Sequence, residues 1–216
     1  MKTIRFIGDV HGKYTPYKKI LKESPFPTIQ VGDMGVGFRK LVDRFDGVAT
    51  LANPPYDSMV DNTARFIRGN HDNPTVCKNH TQYIPDGTVE GSTMFIGGGL
   101  SIDKAWRTEG YDWWPDEELS QREFDPLLDV YAAAKPKLMV THDCPEVFAD
   151  AIIGMFNMHK LNMPSITRQC FDMLLKIHRP KVWVFGHWHH SVDVELNGTR
   201  FICLNELETI DLEMED

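Results

Sequence analysis

The sequence predicts an α/β fold with a largely parallel sheet. Three observations carry this. Short apolar runs alternate with stretches of helical period, five of those runs end abruptly in Asp, Asn or His, and glycines crowd the turns that follow. With 216 residues, 42% hydrophobic and 25% charged, the chain is expected to form one domain over residues 1–216, with enough core to fold without staples.

Thr3-Ile4-Arg5-Phe6-Ile7 reads as the first strand, ended by Gly8-Asp9-Val10-His11-Gly12. Lys13 to Glu23 carries Tyr14, Tyr17, Ile20 and Leu21 on one helical face, and Ser24-Pro25-Phe26-Pro27 stops it. Thr28 to Val31 is a second strand running into Gly32-Asp33. The weakly patterned stretch from Leu41 to Asn62 has room for one helix before Asn53-Pro54-Pro55. Arg65-Phe66-Ile67 is a third strand, ending in Arg68-Gly69-Asn70-His71-Asp72, and Thr93 to Ile96 a fourth, closed by Gly97-Gly98-Gly99.

From 100 to 118 the composition shifts, with Trp106, Tyr111, Trp113 and Trp114 among Lys104 and Arg107; this reads as a cap without regular structure. Ser120 and Glu123 form a capping box for a short helix, and Asp125-Pro126 starts a second. Lys137 to Val140 is a fifth strand leading to Thr141-His142-Asp143, and an irregular, methionine-containing stretch then runs to Pro164. Ser165 caps a helix with Ile166, Cys170, Met173, Leu174 and Ile177 on one side. Lys181 to Phe185 is the sixth strand, ending in Gly186-His187-Trp188-His189-His190. Val192 to Leu196 and Arg200 to Leu204 flank Asn197-Gly198 as a hairpin, and an acidic tail occupies 206–216.

A net charge of -8 disfavours tracking along a phosphate backbone, so nucleic acid is not the favoured partner. The four cysteines are scattered with no C-x-x-C pair, which points to reduced thiols in a cytoplasm rather than a disulfide framework. No basic-then-apolar leader and no apolar run near 18 residues is present, so no membrane is expected. Oligomeric state is not legible.

Parallel sheets carry their functional loops at the carboxyl ends of the strands. Five strands here release Asp9 and His11, Asp33, Asn70 and His71, His142, then His187 and His189 at that end. Carboxylates and imidazoles crowded there need a compensating cation. A set of oxygen and nitrogen donors without thiolate suits manganese, iron or zinc, and is too rich in nitrogen for calcium or magnesium. His71 is too close in sequence to Asn70 to serve freely as another ligand, and the remaining seven are too many for one tetrahedral ion, so two divalent ions are inferred. Against Asp9 and Asp33 they leave a surplus of about two positive charges, which attracts a phosphate anion.

The order of these blocks resembles the calcineurin-like metallophosphoesterase superfamily: D-x-H at Asp9-Val10-His11, G-D at Gly32-Asp33, G-N-H-D at Gly69-Asn70-His71-Asp72, the isolated His142, and G-H-x-H at Gly186-His187-Trp188-His189. The match runs from residue 9 to 189. It implies a four-layer α/β/β/α sandwich of two mixed sheets flanked by helices. It also implies that Asp9, His11 and His189 hold one ion, that Asn70, His142 and His187 hold the other, and that Asp33 bridges them. Manganese is the first expectation, with iron, zinc or nickel as alternatives. The implied reaction is hydrolysis of a phosphomonoester or phosphodiester, small or nucleotide-like, by a hydroxide held between the ions, with His71 stabilising phosphoryl oxygens or protonating the leaving alcohol. A manganese-dependent nuclease and a non-catalytic metal-binding module of the same fold are the alternatives.

The protein serine/threonine phosphatases of this superfamily read G-D-x-x-D-R-G, where the second Asp orients the catalytic histidine. Val36 stands at that position and no Arg follows, which argues against that branch and leaves Asp72 as the candidate to orient His71. Arg107, in the 100–118 segment, is the candidate for substrate binding, with a purely packing role for the segment as the equal alternative. His80, His159 and His178 are expected as ordinary histidines.

Overall fold

The computed structural model describes residues 2–41, 49–51, 54–158 and 163–214. In chain order the elements are β1 (Lys2–Ile7), α1 (Tyr14–Glu23), β2 (Thr28–Gln30), β3 (Arg39–Leu41), β4 (Ala49–Leu51), α2 (Tyr56–Asp61), β5 (Arg65–Phe66), α3 (Pro74–Cys77), β6 (Val89–Glu90), β7 (Thr93–Ile96), α4 (Gln121–Ala134), β8 (Leu138–Thr141), α5 (Glu146–Phe156), α6 (Ile166–Ile177), β9 (Val182–Phe185), β10 (Val192–Leu196), β11 (Thr199–Cys203) and β12 (Thr209–Met214).

Two mixed sheets result, in the orders β12-β1-β2-β5 and β10-β11-β9-β8-β7-β6, with β3 and β4 as a separate hairpin. The alternation of side chains along each strand decides the layering. In the six-stranded sheet Met94, Ile96, Met139, Trp183, Phe185 and Phe201 pack with Phe124, Tyr131, Phe148, Phe171 and Leu174 of α4, α5 and α6. Their neighbours Phe95, Leu138, Val140, Val184 and Ile202 turn the other way, onto Ile4, Phe6, Ile29, Val31 and Ile67 of the other sheet. A third cluster, with Ile7, Tyr17, Leu21, Met59, Phe66 and Cys77, joins the outer face of the four-stranded sheet to α1, α2 and α3. Helices therefore cover both outer faces of a two-sheet sandwich. Trp183 is fully buried at the centre of the first cluster, so Trp183→Ala should cost about 3–5 kcal/mol.

Four expectations are corrected. The helix expected before the prolines lies after them, as α2 with Pro55 at its N-cap. Residues 39–41 and 49–51 form a hairpin instead, and 42–48 and 52–53 lie outside the described residues. The two helices expected after Ser120 are one: the capping box forms, and α4 runs through Pro126 because Phe124 and Tyr131 keep one face in the core. The stretch to Pro164 read as irregular contains α5, whose Phe148, Ala149, Ile152 and Ile153 are buried. The acidic tail supplies β12, antiparallel to β1, with Leu212 and Ile210 against the inter-sheet core and Asp211 paired to Arg5 at 2.7 Å.

All four cysteines are free and buried. No helix among the described residues is long and apolar enough to cross a membrane. His159 lies outside the described residues. His80 stacks on Tyr56 with ring centroids 3.9 Å apart, and His178 bonds to the Pro136 carbonyl at 3.1 Å.

Candidate metal centre

The loops after β1, β2, β5, β8 and β9 meet at one end of the sandwich, and their main chains are tied together. The Asp33 carbonyl accepts the N–H groups of Val10 and His11 at 3.0 and 2.8 Å, and the His142 carbonyl accepts that of Gly186 at 3.0 Å. Turning side chains inward from such short loops requires unusual backbone: His11, Asp33, His187 and His189 have φ of 47, 59, 67 and 52°. Left-handed conformations at non-glycine residues carry strain on the order of 1–3 kcal/mol each and cluster at functional sites. Two glycines serve the same convergence. A Cβ at Gly32 (φ +99°) would run into the His142 ring, and one at Gly69 into the Asp33 carboxylate.

All seven residues predicted as ligands come together, in two groups. In one, Asp9 Oδ2 lies 3.1 Å from His189 Nε2 and 3.5 Å from His11 Nε2, and those two imidazole nitrogens are 2.9 Å apart. In the other, Asn70 Oδ1 lies 3.0 Å from His142 Nε2 and 2.9 Å from His187 Nδ1, with Asp33 Oδ1 3.3 Å from His142 Nε2. Asp33 stands between them, its Oδ2 3.7 Å from His11 Nε2.

The donor chemistry fits divalent cations. His142 Nδ1 donates to the Val31 carbonyl at 2.9 Å, which leaves the Nε2 lone pair of the neutral ring facing two acceptors, Asn70 Oδ1 and Asp33 Oδ1. Acceptors aimed at one point need a positive charge among them. The electrostatics of the buried groups point the same way. Burial pushes His142 down, but Asp33 beside it more than offsets that, and the imidazole is raised to about 10. Burial likewise pushes the Asp9 carboxyl up, and hydrogen bonds from His11 and His189 leave it below the usual carboxylate range.

His71 sits at the edge of both groups. Its backbone N–H donates to Asp33 Oδ1 at 2.7 Å, its ring stacks on Phe38 at 5.1 Å, and its Nε2 lies 2.6 Å from Arg107 Nη2. A guanidinium only donates, so Nε2 of His71 accepts there. Burial lowers the His71 imidazole to about 4. Arg107 is held in turn by Asp103 at 2.7 Å and the Asp112 carbonyl at 3.1 Å. The 100–118 segment thus reaches over the site through Arg107, while Trp106 is 89% exposed.

Asp72 does not take the role expected of it. Its carboxylate accepts the backbone N–H groups of Met34, Gly35, Val36 and Gly69 at 2.7–3.2 Å, so it fixes the loop after Asp33 rather than the His71 ring.

A cleft of about 330 Å³ opens above the site, lined by His71, Arg107, Arg168, Leu100, Ile102 and Trp188 among others. Asp143 was not singled out from sequence. It lies 3.8 Å from His187 Nε2 and accepts from Trp188 Nε1 at 2.9 Å, and its position directly after His142 was the available signal. Phe38, Ser101 and Glu117 were also missed, and no local pattern marks them.

A calcineurin-like phosphoesterase family model matches residues 2–191. No curated protein sequence matches the chain. Among solved structures it is similar to GAP50, the anchor in the inner membrane complex of Plasmodium, at 12% identity over 95% of this chain and 72% of that one, with a TM-score of 0.47. It is similar also to a Thermotoga maritima protein solved by NMR, at 15% identity over 100% and 93% of the two chains, with a TM-score of 0.38. These structural likenesses are too distant to add to the match with the family. The chain belongs to the calcineurin-like phosphoesterase family.

Proposed function

We propose that the chain is a metal-dependent hydrolase of small, nucleotide-like phosphomonoesters or phosphodiesters. The observation that carries the reading is the position of Asp33, whose two carboxylate oxygens face separate donor groups drawn from both sheets. Asp9, His11 and His189 would hold one ion and Asn70, His142 and His187 the other, with Asp33 shared. Two divalent ions held there, manganese first among them, would supply a nucleophile at neutral pH and offset charge developing on a phosphoryl group.

The chain's own residues do the rest. Arg107 Nη2, 2.6 Å from His71, can turn to an anion entering the cleft and hold its phosphoryl oxygens. His71, anchored to Asp33 through its backbone and to Phe38 through its ring, is set to contact the phosphoryl oxygens or the leaving alcohol. Leu100, Ile102 and Trp188 give the organic part of the ester an apolar wall. A cleft of about 330 Å³ suits a small molecule better than a nucleic-acid strand. Four buried free thiols fit a reducing cytoplasm.

The test is hydrolysis of p-nitrophenyl phosphate and its bis ester, side by side, in manganese, nickel, zinc and magnesium. Metal-dependent turnover of either ester supports the reading and names monoesterase or diesterase. Full metal occupancy with no turnover of either would overturn it in favour of a binding module. DNA strand cleavage in manganese would favour the nuclease.

A further inference from the structure

Asn70 has one side-chain oxygen and one side-chain NH₂, and only the oxygen can serve a cation. Something must decide which end faces His142 and His187. The deciding contact comes from the 100–118 segment. Asn70 Nδ2 donates to Ser101 Oγ at 3.0 Å, Ser101 Oγ donates to Glu117 Oε2 at 2.5 Å, and Ser101 N donates to Glu117 Oε1 at 2.9 Å. Ser101 and Glu117 are 1% and 3% exposed, so water does not compete for these bonds. Glu117 is itself fixed, because its carbonyl accepts from Arg68 Nη1 at 2.9 Å and from Gly99 N at 3.3 Å.

The direction of the chain follows from counting protons. A serine hydroxyl has one, and the carboxylate, which only accepts when ionised, takes it. What Ser101 then offers Asn70 is a lone pair. That selects the NH₂ end of the amide and turns Oδ1 toward His142 Nε2 and His187 Nδ1, where it is found at 3.0 and 2.9 Å. The opposite amide orientation would set oxygen against the hydroxyl lone pair and an NH₂ against the proposed ion.

We propose that Ser101 and Glu117 are positioning residues that hold the Asn70 amide with its oxygen toward the second ion. The inference rests on the reading of Asn70 as a ligand of that ion. It gives the 100–118 segment two tasks: Arg107 faces the cleft, and the two ends of the segment lock the site from behind.

The experiment titrates manganese into the metal-free full chain, following stoichiometry by calorimetry and the bound ions by electron paramagnetic resonance. Two variants are compared with the wild type. Ser101→Ala removes the acceptor for Asn70. Glu117→Gln keeps the shape but can give Ser101 a donor, which frees the hydroxyl proton to point at Asn70 and favours the reversed amide. The wild-type chain is expected to bind two ions. Both variants should bind the first ion as the wild type does and the second about 10–100-fold more weakly, the range for groups that orient metal ligands. Equal weakening at both ions, the mark of a merely structural role, would overturn the proposal. So would unchanged second-ion affinity in both variants, and if Ser101→Ala fails to fold, the near-isosteric Glu117→Gln decides. A wild-type chain that binds no ion would instead remove the metal reading beneath it.

Discussion

Asp33, Asn70 and His142 are buried with the His187 side chain only 15% exposed, whereas the other group runs outward from buried Asp9 through His11 to His189, whose side chain is 47% exposed. The interior group is braced from outside: His142 by the Val31 carbonyl, Asn70 by Ser101, and Asp33 by the His71 N–H. In the other group Asp9 accepts the His187 N–H at 3.1 Å, while the His11 and His189 rings lean only on each other and on the carboxylates beside them. The difference teaches that the His142 ring is fixed by a main-chain partner, the Val31 carbonyl, whereas the His189 ring is fixed only by side chains of its own group.

Removing the residue common to both halves should have the largest effect. Asp33→Asn keeps the shape but loses the shared charge, and turnover is expected to fall by about a thousandfold or more, measured with the better of the two aryl esters. Arg107 belongs to neither half. Arg107→Ala should lower kcat/KM by about 10–100-fold, the worth of a charge-assisted hydrogen bond, while manganese calorimetry still reads two ions. Unchanged turnover on every phosphoester would remove Arg107 from the substrate site.

Stability separates the two rings directly. His142→Ala leaves the buried Val31 carbonyl without its side-chain partner and should cost the metal-free chain about 1–3 kcal/mol in urea unfolding. His189→Ala should stay within about 0.5 kcal/mol of wild type. Equal losses at the two positions would contradict the distinction between the two rings. A second substitution sharpens it: with φ of 52° at His189, His189→Gly should be about 1 kcal/mol more stable than His189→Ala, although both lose the imidazole.

The site was more legible in the sequence than its surroundings. Each strand-end block is local: an apolar run, a glycine, then Asp, Asn or His within two or three residues, so position along the chain stands for position in space. The glycines fall where a Cβ would strike a residue from another loop, as Gly69 would strike Asp33, and they announce the convergence. Elements whose logic is tertiary were harder to read. The alternation in Thr209–Met214 was hidden by acidic residues that face outward, one of them onto Arg5. Helix α5 buries Phe148, Ala149, Ile152 and Ile153 but also exposes Val147, Met155 and Phe156, which blurs its apolar face, and α4 survives Pro126 because the core holds both sides of it. Ser101 reaches Asn70 across 31 positions and Glu117 across 16, and no spacing rule connects them.

The central claim is that Asp33 joins two cation sites within one chain. Manganese added to the metal-free protein, with unbound ion removed, should leave two ions per chain by elemental analysis. Its paramagnetic resonance spectrum should be that of an exchange-coupled pair, and the coupling should vanish in Asp33→Asn. One ion or none per chain, or two that show no coupling, would contradict the account.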